Sequence, residues 1–349
     1  MIQMNNGLLV GRVPRKRLSL SSCLVGPPLV LTFLLGLLGG SSVEAESRYG
    51  PRDFHAVTFV TFSAGWIDGG DVLGTTNGGQ TWAIQRTWEK KGGTARQMQI
   101  LDPLNGWVVY PGGYLHRTID GGRTWQVGRV LAREPNTKSV VSLGRLFMVS
   151  PQNGFGVSDT GTHLLRTSDG GLTWRAMQIR EGTVNFTVLA FLDAKQGWVA
   201  GIKGMLAMTR DGGRTLESLP PAPVLAPLQM QFVSVSAGWL LDAQAFRLSH
   251  TLDGGQSWQP CQGGSATPGI RGFFFRTPTQ GWAAAVGGVI LRTTDGCMSW
   301  QAVQTPRTDD LNAIQFLDSS TGWAVGDNDT VLKTTDGGLT WTAVPVNVP

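Results

Sequence analysis

A single turn signature recurs seven times along this chain, and its spacing restricts the possible fold more than any other feature. The signature is Thr-x-Asp-Gly-Gly-x-Thr-Trp, with local departures. It spans Asn77 to Trp82, Asp120 to Trp125, Asp169 to Trp174, Asp211 to Leu216, Asp253 to Trp258, Asp295 to Trp300 and Asp336 to Trp341. The acid or amide positions lie 43, 49, 42, 42, 42 and 41 residues apart. A second marker, Gly-Trp, precedes each turn at Trp66, Trp107, Trp198, Trp239, Trp282 and Trp323, with Gly154-Phe155 in the third unit. All of the 13 tryptophans except Trp88 sit on one marker or the other, so they belong to the repeat and not to one local site.

The turn chemistry has a direct reading. An Asp or Asn at the turn start accepts hydrogen bonds from nearby backbone N–H groups and pins the loop. The glycines that follow tolerate positive φ. Thr-Trp then re-enters a pleated, half-buried strand. In the last unit, Leu311–Asp318, Gly322–Gly326, Thr330–Thr334 and the segment opened by Thr340-Trp341 read as four short strands. Four strands every forty-odd residues make a propeller blade. The expected fold is an all-β, seven-bladed β-propeller with four antiparallel strands per blade, filling residues 46–349 as one domain. An open solenoid is the alternative, but no terminal caps are visible. The ends, Phe54–Phe62 and Trp341–Val346, are expected to meet at ring closure and to share a sheet. Two stretches break the period: Gly128–Ser142, with Arg129, Arg133 and Lys138, and the proline-rich link Leu219–Pro227. Irregular propeller connections are places where partners bind, or simply tolerated loops.

The formal charge of +5 overstates the basicity of the folded part. Arg12, Arg15, Lys16 and Arg17 face only Glu44 within the first 45 residues; without them 25 Lys+Arg and 23 Asp+Glu remain, a net of +2. No nucleic-acid partner is expected. A basic start, the apolar run Leu29–Leu38 and Val43-Glu44-Ala45 have the layout of a secretory signal over residues 1–45. The alternative is a retained anchor, for which the run is short. The expected location is therefore exported. Cys261 and Cys297 remain after such a signal is removed and fall in neighbouring units. They form either a bridge or two separate thiols.

The turn resembles the Asp-box of the bacterial neuraminidase repeat. The longer pattern Ile314-x-Phe316-x-Asp318 through Gly322-Trp323-Ala324-Val325-Gly326 and Val331-Leu332-x-Thr334-Thr335-Asp336-Gly337-Gly338-x-Thr340-Trp341 resembles the photosystem II stability and assembly factor family. Phe191-Leu192-Asp193 through Gly197–Gly201 does so as well. That resemblance covers about Phe54 to Val346 and implies a seven-bladed, exported, non-enzymatic scaffold in a periplasm or thylakoid lumen. Its client would be a membrane protein such as a newly made photosystem reaction-centre subunit. A second reading is an exported propeller that binds a glycan or cell-surface protein. A third is a sialidase-like glycosidase, which requires a tyrosine nucleophile and an arginine cluster; Tyr49, Tyr110, Tyr114 and Arg48–Arg52 match that poorly.

No enzyme activity, cofactor or metal is expected. His55, His116, His163 and His250 show no metal-ligand spacing and read as surface residues. Asn77, Asp120, Asp169, Asp211, Asp253, Asp295 and Asp336 read as turn framework, because the other acids of a calcium loop are missing. The residue before the Thr of each turn is more suggestive. It reads Gly74, Arg117, Arg166, Met208, His250, Arg292 and Lys333, and equivalent positions of a propeller lie on a ring. Arg117, Arg166, Arg292 and Lys333, joined by Arg123 and Arg214 inside their turns, are the candidate partner-binding residues: a basic rim for an acidic or polar segment of a protein client. The alternative is ordinary solvation of exposed cations. The chain is expected to act as a monomer.

Overall fold

In the last unit, Thr334 donates its hydroxyl to Asp336 Oδ1 at 2.7 Å and accepts Gly338 N–H at 3.0 Å. Thr340 closes the other side, its N–H on Asp336 Oδ1 at 3.0 Å and its hydroxyl on Oδ2 at 2.5 Å. The same net recurs around Asp120, Asp169, Asp211, Asp253 and Asp295, and around Asn77 with its amide donating to Thr81. Both carboxylate oxygens are consumed by the turn itself. The first turn glycine donates to a carbonyl in the loop between the unit's first two strands, as Gly337 to Ser320 and Gly121 to Leu104, both within 3.0 Å. All seven turns therefore share one face with those loops.

The computed structural model describes residues 52–87, 95–133, 139–177, 185–262 and 268–346, and shows an all-β propeller. Residues 1–45, where a secretory signal is expected, lie outside the described residues, as do Arg48, Tyr49, Trp88 and Lys138. The count of seven four-stranded blades is corrected to six. Six units are four-stranded antiparallel sheets in sequence order, exemplified by Leu311–Phe316, Gly322–Gly326, Val331–Thr334 and Thr342–Ala343. The third unit departs from that plan. Its first strand, Val140–Met148, is nine residues long, and Leu131–Arg133 pairs with its start as a fifth strand. Arg133 also pairs in parallel with Arg175 of Arg175–Met177, so this sheet closes on itself. The physical cause is the longer 49-residue spacing, which supplies enough chain for an added strand where a loop was expected.

In four of the units the two tryptophan markers converge on one phenylalanine. Phe316 ends its first strand and stacks at 3.5 Å on Trp282 of the preceding unit, while Trp341 of its own unit meets it edge-on. Phe59, Phe232 and Phe275 are clamped in the same way. The ring leaves no room beneath it: a Cβ on Gly322 would come within 2.7 Å of Phe316, which is why glycine precedes tryptophan there. Glutamines fasten neighbouring first strands. Gln231 accepts Phe275 N–H at 2.9 Å and donates to Phe275 O at 2.8 Å, and Gln99 and Gln315 do the same to Met148 and Phe59.

The chain ends meet but do not share a sheet. Ala56–Phe59 is the first strand of the first sheet, and Thr342–Ala343 is the outer strand of the last. Phe54, Val57 and Phe59 pack in one core with Trp323, Val325, Val344 and Val346. The proline-rich link is partly structural: Leu219, Ala222 and Val224 are buried in the core shared by the fourth and fifth units, while Leu225 is exposed.

Candidate functional site

Each residue before a turn threonine lies cross-strand from the Gly-Trp indole or its phenylalanine counterpart. Arg117 opposes Trp107, Arg166 opposes Phe155, Arg292 opposes Trp282 and Lys333 opposes Trp323. That register turns their side chains toward the next unit. Arg117 Nη1 donates to Asp169 O at 3.4 Å, Arg292 Nε to Gly337 O at 3.1 Å and Lys333 Nζ to Gly78 O at 3.5 Å. Arg166 lies over Phe155 at 5.9 Å, and Lys333 over Trp323 at 5.2 Å. All four cations are half-buried; Arg117, Arg292 and Lys333 brace neighbouring units close to the turn-bearing face, while Arg166 lies over the ring of its own unit. Arg123 and Arg214, inside their turns, are exposed.

One place brings several of these features together. A cleft of about 650 Å³ between the third unit and the fourth unit's turn is lined by Arg166, Arg175 and Arg214, with Thr167, Ser168, Thr173, Trp174 and Met177. Arg133 stands beside Arg175 through the strand pairing that closes the third sheet. Among the described residues, no acid lines the cleft. Asp169, in the turn between these lining residues, is spent on its own turn: burial pushes its carboxyl up, but hydrogen bonds from Thr173 and Thr167 outweigh this and hold it below the usual carboxylate range. Its charge is thus screened by local donors, and three guanidinium groups face a common space. Such a lining suits the bidentate capture of carboxylates beside an apolar floor.

Arg166 and Arg214 were legible from the repeat. Arg175 and Trp174 were not assigned, because Arg175 holds a variable position after the turn (Ala83, Gln126, Glu217, Gln259, Gln301 and Thr342 elsewhere), and a Thr-Trp-Arg run carries no pattern of its own. Two histidines expected at the surface are buried, His116 completely and His250 at 7% exposure. His116 packs against Tyr110 at 4.6 Å, near Asp68 and Arg86. Burial pushes Asp68 up to about 7 and Tyr110 well above its ordinary value, and lowers His116 to about 4. Tyr110 is thus a core residue here, while Tyr114 is exposed under Arg129. Cys261 and Cys297 form a disulfide, with Cα atoms 5.1 Å apart, between the fifth and sixth units.

The family model described as photosynthesis system II assembly factor YCF48 matches residues 137–226 and 294–348. The resemblance to photosystem II assembly factors is borne out. The first matched segment holds every residue of the arginine cleft, and the second holds the last turn and its strands. Among solved structures, YCF48 bound to D1 peptide is 18% identical with a TM-score of 0.61, covering 82% of this chain and 94% of that one. YCF48 from Cyanidioschyzon merolae is 18% identical with a TM-score of 0.62, covering 83% and 97%. Virginiamycin B lyase from Staphylococcus aureus is 12% identical with a TM-score of 0.64, covering 82% and 97%. At these identities the solved structures share the fold alone with this assembly-factor-like chain. No curated protein sequence matches it.

Proposed function

We propose that the protein is an exported, non-catalytic assembly factor that holds a carboxylate-bearing segment of a membrane-protein client, of the photosystem reaction-centre class, in the cleft of Arg166, Arg175 and Arg214. The observation that carries this reading is an overlap: the family match over residues 137–226 contains all three arginines, and they face one cleft with no acid among its described lining residues. A protein of the same fold is described as bound to D1 peptide, and an extended peptide of that class suits a guanidinium-lined cleft. Guanidinium groups pair carboxylates in two-point fashion, and Trp174 and Met177 give an apolar floor. Arg123 and Arg214 meet the client directly, while Arg117, Arg292 and Lys333 add to a cationic field on the turn-bearing face and speed encounter more than they hold. Residues 1–45 direct the chain out of the cytoplasm, and the folded part acts as a monomer.

Binding of a fluorescent D1 peptide, followed by anisotropy at low and high salt, tests this. Wild-type protein should bind, and more weakly as salt rises. Reversing Arg166, Arg175 and Arg214 to Glu together should lower affinity by about tenfold for each arginine that pairs with a carboxylate. No binding by the wild type, or unchanged binding by the folded triple variant, overturns the proposal.

A further inference from the structure

The fifth unit breaks the ring of braces in a way that builds a different site. Where four units carry Arg117, Arg166, Arg292 or Lys333 and two carry Gly74 or Met208, the fifth carries His250, cross-strand from Trp239. By the geometry of the repeat, this position reaches the turn of the next unit. That turn is the one whose second glycine is replaced: Gly79, Gly122, Gly171, Gly213, Gly255 and Gly338 hold positive φ in the other turns, and Cys297 holds φ 83° in this one. An L-residue rarely adopts that conformation, and such outliers mark positions held for a purpose. His250 Nδ1 stands 3.5 Å from Cys297 Sγ and 3.9 Å from Cys261 Sγ, and the three ligand atoms lie within 4.8 Å of one another. Cys261 follows the fifth unit's outer strand, Gln259–Pro260, and the backbone of Gln259, opposite His250 in the ladder, hydrogen-bonds the imidazole.

We propose that the reduced protein binds one zinc-class cation through Cys261 Sγ, Cys297 Sγ and His250 Nδ1, and that the disulfide is the closed, oxidised form of this site. In a tetrahedral zinc site with bonds of about 2.3 Å to sulfur and about 2.0 Å to nitrogen, each sulfur–nitrogen edge is about 3.6 Å and the sulfur–sulfur edge about 3.8 Å. The Cys297 distance of 3.5 Å already has about that length, and the Cys261 distance of 3.9 Å is somewhat longer. Only the two sulfurs must part, by rotation of the half-exposed Cys261 side chain. A dithiol reductant supplies two electrons and two protons, opens the bond to two thiols and leaves as its own disulfide. The cation then displaces both thiol protons, and the neutral imidazole donates its lone pair. Two thiolates cancel the double positive charge, which suits a site this buried. Two thiolates and one imidazole favour zinc or cuprous copper over calcium or magnesium.

The test uses the full chain with Cys23→Ser, so that the site holds the only two thiols. The protein is reduced with dithiothreitol, desalted without oxygen, checked for two free thiols, and titrated with Co²⁺ as a spectroscopic substitute for Zn²⁺. One equivalent should give a thiolate-to-cobalt charge-transfer band and tetrahedral visible bands, and Zn²⁺ should displace them. The oxidised protein should give neither. His250→Ala should weaken binding by more than about tenfold, since even loss of an outer partner costs that much. Cys261→Ser, at the half-exposed position, should abolish the charge-transfer contribution of one thiolate while far-UV circular dichroism stays native. The proposal is overturned by a reduced, folded protein that shows no charge-transfer band. It is equally overturned by His250→Ala binding as tightly as wild type, by equal binding to the oxidised form, or by unfolding on reduction.

Discussion

The indole of Trp323, in the last sheet, stacks on the ring of Phe59, in the first, with centroids 3.7 Å apart and planes at 7°. The two residues are 0% and 1% exposed. This contact repeats the Trp282–Phe316, Trp239–Phe275 and Trp198–Phe232 stacks between consecutive units, so the chain closes its ring with a joint it also uses internally. Closure is reinforced by Gln315 on the Phe59 backbone, by Phe54 N–H on Gly326 O at 3.0 Å and by Arg52 on Asp329 at 3.0 Å. It needs no strand exchanged between the ends.

Trp323→Ala should therefore cost as much as loss of an internal joint. Deleting a fully buried large aromatic ring costs about 3–5 kcal/mol. Urea unfolding should show that loss for Trp323→Ala and a similar one for Trp198→Ala, which stacks on Phe232 at 3.7 Å. A much smaller loss for Trp323 would mean that the ring tolerates opening.

The half-buried cations should matter for stability as well as binding. Arg292→Glu places a carboxylate against Gly337 O, which also accepts the Trp282 indole at 2.9 Å. Losing a charge-assisted hydrogen bond and adding a repulsive contact should cost about 1–3 kcal/mol. Arg175→Glu, on an exposed position, should change thermal stability little and act on peptide binding alone. Equal melting temperatures for the two variants would contradict the brace role of Arg292.

Turn acids set the acid limit of the fold. Hydrogen bonds from Thr124, Ser257, Ser299 and Thr340 hold Asp120, Asp253, Asp295 and Asp336 at about 2. An unfolded Asp titrates near 4, so the folded state binds these protons more weakly than the unfolded chain. The stability they contribute is present above about pH 4 and is lost as pH falls toward 2. Urea midpoints measured from pH 5 down to 2 should drop across that window. Asp336→Asn, which keeps the acceptor oxygen and does not titrate, should flatten part of the slope.

Asp68 works in the opposite direction. Burial pushes it up to about 7, so the folded state holds its proton more tightly than the unfolded chain. Stability should fall as pH rises from about 4 to 7, with the penalty complete above 7. His116, lowered to about 4 by burial and by Arg86, lowers stability only as pH falls below its ordinary value of 6.5. Asp68→Asn should stabilise the protein at pH 8 and remove the decline between pH 4 and 7. Unchanged stability at pH 8 would show that Asp68 is charged without cost there.

The repeat alone determined the β-propeller architecture, the position of every turn and the role of nearly every tryptophan. Those features depend on local chemistry, an acid that caps its own turn and a glycine that allows positive φ, and on a period that any unit displays. It also marked Arg166 and Arg214 as residues apart from the framework. Tertiary structure decided the rest. Leu131–Arg133 became a strand because the extended Val140–Met148 offered it an edge, which no local pattern announces. Arg175 joined Arg166 and Arg214 because a closing sheet brought it to their cleft. His250 met Cys261 and Cys297 because the ring aims each third strand at the next unit's turn. Spacing along a chain carries no information about such meetings; they follow from how successive units are rotated about a common axis and pressed together.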